Sequence, residues 1–89
     1  MKEEITQYRV TTIVDWPNRQ DKFSVVYIDY FAACQEYESL AEVPVPKGGK
    51  TTITIAEETW TVEYDEEQED YIYKFVRFEG IIAKKTIKR

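Results

Sequence analysis

The N-terminal third of the chain carries two apolar patterns that predict two β-strands. Residues 5–14 alternate between apolar and polar positions and are rich in β-branched side chains, as half-buried strands are. Residues 15–22 then contain Pro17 and Asn18, which favour a turn. Residues 23–30 have apolar side chains on both faces, which is typical of a central strand that is covered on both sides.

The pattern changes to steps of three and four in residues 30–42, which predicts one amphipathic helix. Its apolar positions are Tyr30, Ala33, Tyr37, Leu40 and Ala41. Asp29 lies directly before this segment and is the predicted N-cap. Two prolines and two glycines in residues 43–50 predict the end of the helix and a loop.

The C-terminal half predicts four further strands, at residues 51–55, 59–64, 71–78 and 81–88. Ala56–Glu58 and Glu79–Gly80 are interpreted as hairpin turns, and residues 65–70 as an acidic connector.

The complete order β-β-α-β-β-β-β predicts a single α+β domain, residues 1–89, with a mainly antiparallel sheet of five to six strands and one helix near 30–42. The alternative is a small β-barrel with the helix as a plug.

Composition narrows the chemistry that this chain can perform. There is no histidine, and Cys34 is a lone cysteine, so the commonest general base and the usual metal-ligating clusters are missing. The segment KGGKTT lacks the glycine that a phosphate-binding loop needs five residues earlier, where Pro44 stands. We therefore expect a protein that is not an enzyme, with no catalytic residue, metal site, cofactor or small-molecule substrate.

The pattern of charge and apolar runs also indicates a location. The N-terminal segment is charged, and the apolar runs are far shorter than the roughly 20 residues that span a bilayer. These features predict a cytoplasmic protein without a membrane partner. The abundance of Glu and Lys, with single Asn and Cys residues, is also a feature of hyperthermophile proteins.

Aromatic residues give the main functional hypothesis. The 89 residues include two Trp, seven Tyr and four Phe, more than so small a core easily buries. An uncovered aromatic sheet face would mark an interface with a protein partner or with a second copy of the chain. The candidate interface residues are Trp16, Phe23, Tyr27, Tyr71 and Tyr73. The alternative is that sheet curvature and the long loops hide these rings.

Acidic residues give a second hypothesis. The chain has 17 acidic and 12 basic residues and a net charge of −5. Spaced carboxylates can imitate a phosphate backbone and inhibit a DNA- or RNA-handling protein, as small acidic inhibitors from bacterial or archaeal viruses do; the likeness is one of size and charge. The candidate acidic surface comprises Glu57, Glu58, Asp65, Glu66, Glu67, Glu69 and Asp70.

The basic C-terminal hairpin gives a third hypothesis. Residues 74–89 hold six basic residues and one acid, and Lys74, Lys84 and Lys88 form the candidate basic patch. Such a patch could bind nucleic acid, protect an edge strand from aggregation, or pair with the acidic body. The net negative charge opposes approach to phosphates, so nucleic acid is the less favoured partner.

Overall fold

Four long strands and one helix make up the part of the chain that this computed structural model describes, which is residues 2–40, 45 and 47–88. The elements are β1 (Lys2–Asp15), β2 (Gln20–Tyr27), α1 (Tyr30–Leu40), β3 (Lys50–Asp65) and β4 (Asp70–Lys88). The strands form one antiparallel sheet in the order β2-β1-β3-β4. The fold measures 51 × 24 × 20 Å and is therefore strongly elongated along the strands.

The predicted count of five to six strands is wrong, because two segments interpreted as turns continue as strands. Ala56–Glu58 lies inside β3, where each residue pairs with β1, from Arg9↔Ala56 to Gln7↔Glu58. The extension of β1 to Lys2 adds further pairs beyond these, from Glu4↔Thr61 to Lys2↔Glu63. Glu79–Gly80 likewise lies inside β4, opposite β3. The order β-β-α-β-β-β-β is thus replaced by β-β-α-β-β.

The glycine of the predicted second turn belongs to a series of β-bulges. Pairing between β3 and β4 shifts at three places, after Ile55, Glu57 and Thr59. Gly80 has a φ of 155°, a conformation that other residues rarely adopt, so glycine suits this irregular strand. Each bulge adds one residue to β4 and thereby changes which of its side chains share a face.

The bulges bring three apolar residues of β4 to one side of the sheet. Phe75, Phe78 and Ile81 pair with Trp60, Glu58 and Ala56, which alternate regularly along β3. A spacing of three in β4 therefore matches a spacing of two in β3. The bulge at Ile82 places Ile81 and Ala83 on opposite sides of the sheet, although they are two residues apart.

The helix packs on one face of the sheet, which is open and not closed into the alternative barrel. The buried core under α1 consists of Val10, Ala33, Ile53 and Ile55. The predicted helix is confirmed over residues 30–40, whereas its predicted extension to 42 and the prolines at 44 and 46 lie outside the described residues.

The N-cap prediction is also confirmed. The backbone N–H of Phe31 donates to Asp29 Oδ1 at 3.0 Å. This bond satisfies one of the N–H groups that lack a partner in the first turn of a helix. The cap therefore fixes where α1 begins after β2.

Candidate protein interface

The buried side of β3 changes halfway along the strand. Thr51, Ile53 and Ile55 are buried on the side of the sheet that α1 covers, which we call the helix side. The next residues, Ala56 and Glu58, are buried on the opposite or open side. The apolar surface of the sheet therefore lies under the helix at one end and on the open side at the other end.

The open side carries a continuous surface of large apolar side chains, which we call the aromatic face. Its members are Ile5, Trp60, Val62, Tyr64, Tyr71, Tyr73, Phe75, Phe78 and Ile81. Tyr71, Phe75 and Phe78 are 59%, 52% and 57% exposed. Edge-on ring contacts join Trp60 to Phe75 at 5.8 Å and Tyr64 to Tyr71 at 5.2 Å between centroids. These contacts hold the rings in place while leaving much of their area accessible.

A buried charge network anchors the middle of the aromatic face. Glu58 is 5% exposed and accepts hydrogen bonds from Arg9 Nε at 2.8 Å and from the Trp60 indole N–H at 2.9 Å. Arg9 also donates to the Ser24 hydroxyl at 3.0 Å. Both oxygens of a buried carboxylate are thus satisfied, and the Trp60 ring is fixed in one orientation.

The helix side of the same half is polar. The Glu79 carboxylate accepts hydrogen bonds from the Thr59 hydroxyl, at 2.7 Å, and from Arg77 Nε. These two hydrogen bonds, first from Thr59 and then from Arg77, lower the pKa of Glu79 below its ordinary value. Arg77 Nη1 also lies 3.7 Å from Glu4 Oε1 on β1. This surface is therefore held together by charge-assisted contacts and not by apolar packing.

At the other end of the open side, four lysines from three strands form what we call the lysine face. They are Lys22, Lys50, Lys84 and Lys88. Lys22 pairs with Ile13 of β1, and Lys84 pairs with Thr54 of β3. Lys50 pairs with Asp15 of β1 on one side and with Lys88 of β4 on the other. All four are exposed. Four threonines, Thr11, Thr52, Thr54 and Thr86, share this surface. The open side is thus aromatic at one end and positively charged at the other.

The turn between β3 and β4 concentrates negative charge at the aromatic end of the sheet. We call Asp65–Asp70 the acidic turn, because it holds five acids and no basic residue. Asp65 Oδ1 accepts hydrogen bonds from the backbone N–H groups of Glu67 and Gln68, which shapes the turn. Glu69 has a φ of 53° and completes the reversal. Asp70 Oδ1 accepts a hydrogen bond from the backbone N–H of Tyr71 at 2.7 Å, and Glu66, Glu67 and Glu69 are exposed.

The predicted interface residues do not lie on one surface. Tyr71 and Tyr73 belong to the aromatic face, whereas Phe23 and Tyr27 lie on the helix side of edge strand β2. Trp16 lies in the β1–β2 turn, where its indole N–H donates to Asp21 and the Arg19 guanidinium stacks on its ring. The pattern also missed Trp60, Phe75, Phe78 and Ile81; the spacing of three from Phe75 to Ile81 was the available signal.

The predicted charged surfaces are likewise divided. Glu57 lies on the helix side and Glu58 is buried, so only the five acids of the acidic turn stand together. Lys84 and Lys88 lie on the lysine face, while Lys74 pairs with Thr61 on the helix side. Lys22 and Lys50 were missed, because only the strand register brings them beside Lys84 and Lys88.

A shallow apolar groove separates α1 from the outer part of the sheet. Its volume is about 250 Å³, and its lining includes Val10, Phe23, Val25 and Glu36. Partial burial and the nearby Glu36 carboxylate raise the pKa of Tyr27 above its ordinary value, so its phenol stays neutral at physiological pH. The polar residues of its lining are Thr12, Ser24 and Glu36, and the other lining residues are apolar.

Within residues 2–40, 45 and 47–88, no group of three or more His, Cys, Asp or Glu side chains is arranged to hold a metal ion. The helix in this part of the chain is too short and too polar to cross a membrane. Cys34 is half-buried against the core and forms no disulfide.

Known proteins do not extend these observations. No protein family model, curated protein or solved structure matches this chain.

Proposed function

We propose that this protein is an interaction module that binds another polypeptide chain through the aromatic face. The observation that carries the proposal is the exposure of so many rings on one rigid surface. Two segments supply these rings, Ala56–Tyr64 of β3 and Tyr71–Ile81 of β4. The one charged side chain that they place on the open side is Glu58, which is buried and paired with Arg9. All residues of these two segments are described.

The chemistry of this face suits a protein partner better than a small molecule. Aromatic side chains are enriched and charged residues depleted at the centres of protein interfaces. Tyr64, Tyr71 and Tyr73 also keep hydroxyl groups that can hydrogen-bond at the edge of a contact. The face is broad and twisted, as sheets are, and it offers no enclosed cavity.

Site-specific photo-crosslinking in the cells that naturally make the protein tests this proposal. A photoreactive benzoylphenylalanine at position 75 would lie in the centre of the aromatic face. The matched control places the same group at position 31, because Phe31 is 76% exposed on the helix. We expect a discrete crosslinked polypeptide, of the same or another sequence, from position 75 and none from position 31.

Two outcomes would contradict the proposal. Crosslinks of equal yield from both positions would mean that exposure alone accounts for them. An absence of crosslinks from position 75, with the protein folded by circular dichroism, would mean that the face stays free.

A second candidate function is nucleic-acid binding through the lysine face. The observation that favours it is the convergence of Lys22, Lys50, Lys84 and Lys88 on one flat surface beside the aromatic rings. Single-stranded nucleic acids bind to such combinations of positive charge and stacking rings. The net charge of −5 weighs against it, because the rest of the molecule repels phosphates.

Fluorescence anisotropy with labelled single- and double-stranded oligonucleotides tests this second candidate. Binding at low salt that weakens steeply as salt rises, and that Lys84→Glu/Lys88→Glu abolishes, would support it. The control is Lys74→Glu, which changes charge equally on the helix side. Binding that both variants reduce equally, or no binding at low salt, would eliminate it.

A further inference from the structure

The distribution of charge along the open side indicates which polypeptide would fit there. Along the open side, the lysine face is followed by the aromatic face, and the acidic turn closes the sheet beyond the aromatic face. By register Asp65 and Asp70 belong to the helix side, and Glu66 and Glu67 lie at the tip beside Glu63 and Tyr64. The lysine face carries four lysines, with the carboxylate of Asp15 opposite Lys50, and the acidic turn carries five carboxylates. They lie at opposite ends of a sheet that is 51 Å long. A complementary partner would present the same three surfaces in reverse order.

We infer that this partner is a second copy of the chain, packed open side to open side with its strands running antiparallel to the first. The inference rests on the proposed function, since it names the occupant of the aromatic face. A two-fold axis through the aromatic face would place each acidic turn on the lysine face of the other copy. Such an interface is self-complementary, as two-fold interfaces must be.

The spacing along β3 agrees with this arrangement. Trp60 lies at the middle of the aromatic face, and the acidic turn begins five residues away at Asp65, about 17 Å along the strand. Five residues from Trp60 in the other direction is Ile55, next to the Thr54↔Lys84 pair at which the lysine face begins. A two-fold axis near Trp60 therefore brings the acidic turn of one copy over the lysines of the other.

The area that a stable dimer must bury also requires contact between the acidic turn and the lysine face. Five exposed rings, each about half accessible, offer on the order of 500 Å² of surface. A stable protein interface usually buries about 800 Å² on each partner. The aromatic face alone falls short, and contact between the acidic turn and the lysine face would supply the remainder.

The opposite alignment is electrostatically unfavourable. If the strands of the two copies ran parallel, the two acidic turns would lie side by side, and so would the two lysine faces. Like charges placed together across an interface disfavour that pairing and select against it. Charge thus determines the orientation, and the rings supply most of the apolar contact.

Charge reversal and mixing provide the test, with analytical ultracentrifugation as the measurement. One variant carries Glu66→Lys/Glu67→Lys, and the other carries Lys84→Glu/Lys88→Glu. At both contacts of the antiparallel dimer, the first alone sets positive charge at positions 66 and 67 against Lys84 and Lys88, and the second alone sets negative charge at positions 84 and 88 against Glu66 and Glu67. Each change removes most of the charge attraction and should weaken self-association at least tenfold. An equimolar mixture restores opposite charges at both contacts and should form a heterodimer of about wild-type affinity.

A control variant and a salt series separate the turn–lysine contact from a general effect of charge. Glu38→Lys/Glu57→Lys makes the same change of charge on α1 and on the helix side of β3, away from the acidic turn, and should leave dimerisation unchanged. The wild-type dissociation constant should rise about tenfold between 0.05 and 0.5 M salt, because salt screens the turn–lysine contact. The salt series needs no variant and so remains informative if a variant does not fold.

The possible failures are distinguishable. A wild-type protein that stays monomeric at millimolar concentration would overturn the inference, while crosslinking at position 75 would still decide the proposed function. A wild-type dimer whose charge variants do not recover on mixing would overturn the antiparallel alignment and leave docking on the aromatic face intact. Oligonucleotide binding that dissociates the dimer would show that the lysine face serves nucleic acid instead.

Discussion

The two ends of this sheet share the same strands but bury their apolar residues on opposite sides. Near Ile53, β1 and β3 pack their apolar side chains under α1, and the open side carries lysines and threonines. Near Trp60, the same strands are polar on the helix side and aromatic on the open side. The register between β1 and β3 is continuous throughout, so the sequence pattern alone causes the change.

The difference follows from how little of the sheet one helix can cover. The 11 residues of α1 span about 16 Å, whereas the fold is 51 Å long. Apolar side chains on the helix side would stay bare beyond that length. Their transfer to the open side gathers them into one surface that a single partner can bury. The covered end holds the buried core, and the uncovered end carries the exposed aromatic face that we propose as the binding surface.

The largest expected effect comes from a core substitution at the covered end. Ile53→Ala should lower the free energy of unfolding by about 3 kcal/mol, because a fully buried side chain leaves a cavity. Phe75→Ala, at the end that α1 does not cover, should lower the free energy of unfolding of the monomer by less than about 1 kcal/mol, since the Phe75 ring is half exposed. Urea unfolding at low protein concentration measures both. Equal losses would contradict the division of roles between the two ends.

Removal of the buried carboxylate should have the next largest effect. Glu58→Ala leaves Arg9 without its ion pair and Trp60 without its acceptor, and should cost about 2 kcal/mol. The double variant Arg9→Met/Glu58→Leu should recover most of this loss, because no unpaired charge remains. Urea unfolding again provides the measurement. If the double variant were less stable than Glu58→Ala, the ion pair would itself be a net stabilising contact.

Loss of the helix cap tests how strongly the covered end depends on α1. Asp29→Ala removes the acceptor for the Phe31 N–H and should cost about 1 kcal/mol. Asp29→Asn keeps an oxygen acceptor and should remain close to wild type. Thermal unfolding followed by circular dichroism compares the two. Equal destabilisation by both substitutions would show that the charge of Asp29 matters more than its hydrogen bond.

The smallest expected effect is a pH dependence of the free energy of unfolding, which arises at Glu79 in the half of the sheet that α1 does not cover. The folded state lowers the pKa of Glu79, so its carboxylate stabilises the fold above the ordinary pKa of about 4.5. That stabilisation is lost as the pH falls through the lower, folded value. Glu79→Gln should therefore be less stable than wild type at pH 7 and indistinguishable from it at strongly acidic pH.

The hydroxyl of Thr59 offers a matched check, because it makes the largest contribution to this shift. Thr59→Val should reduce the pH dependence in the same direction as Glu79→Gln. Urea midpoints measured at low salt across the acidic range would follow both variants. A difference between wild type and Glu79→Gln that persists unchanged at low pH would show that the effect is not electrostatic.

Local patterns predicted the features that depend on neighbouring residues. The helix and its cap at Asp29 follow from a periodicity and a capping preference that act within a few residues. The alternation of residues 5–14 likewise identified β1, although the strand begins at Lys2. Its charged start resembled a solvated terminus, because the pairing of Lys2 with Glu63 is not visible locally.

Features that depend on distant pairing could not be predicted. Ala56–Glu58 resembles a turn by composition, yet Arg9 on another strand neutralises Glu58 and keeps it inside β3. The sequence likewise shows Lys50 far from Lys84, and only the register of β3 with β4 brings them together. The aromatic face was half predicted, since Tyr71 and Tyr73 obey simple alternation whereas Phe78 and Ile81 reach that face only through the bulges.

The bulges of β4 also limit what kind of assembly can grow from this molecule. An outermost strand that is long, flat and apolar is a template for endless addition of further chains, as in amyloid. Three interruptions in its 19 residues increase the local twist and break the regular row of backbone donors and acceptors. The protein can therefore expose the aromatic face while the outer edge of β4 resists fibril formation.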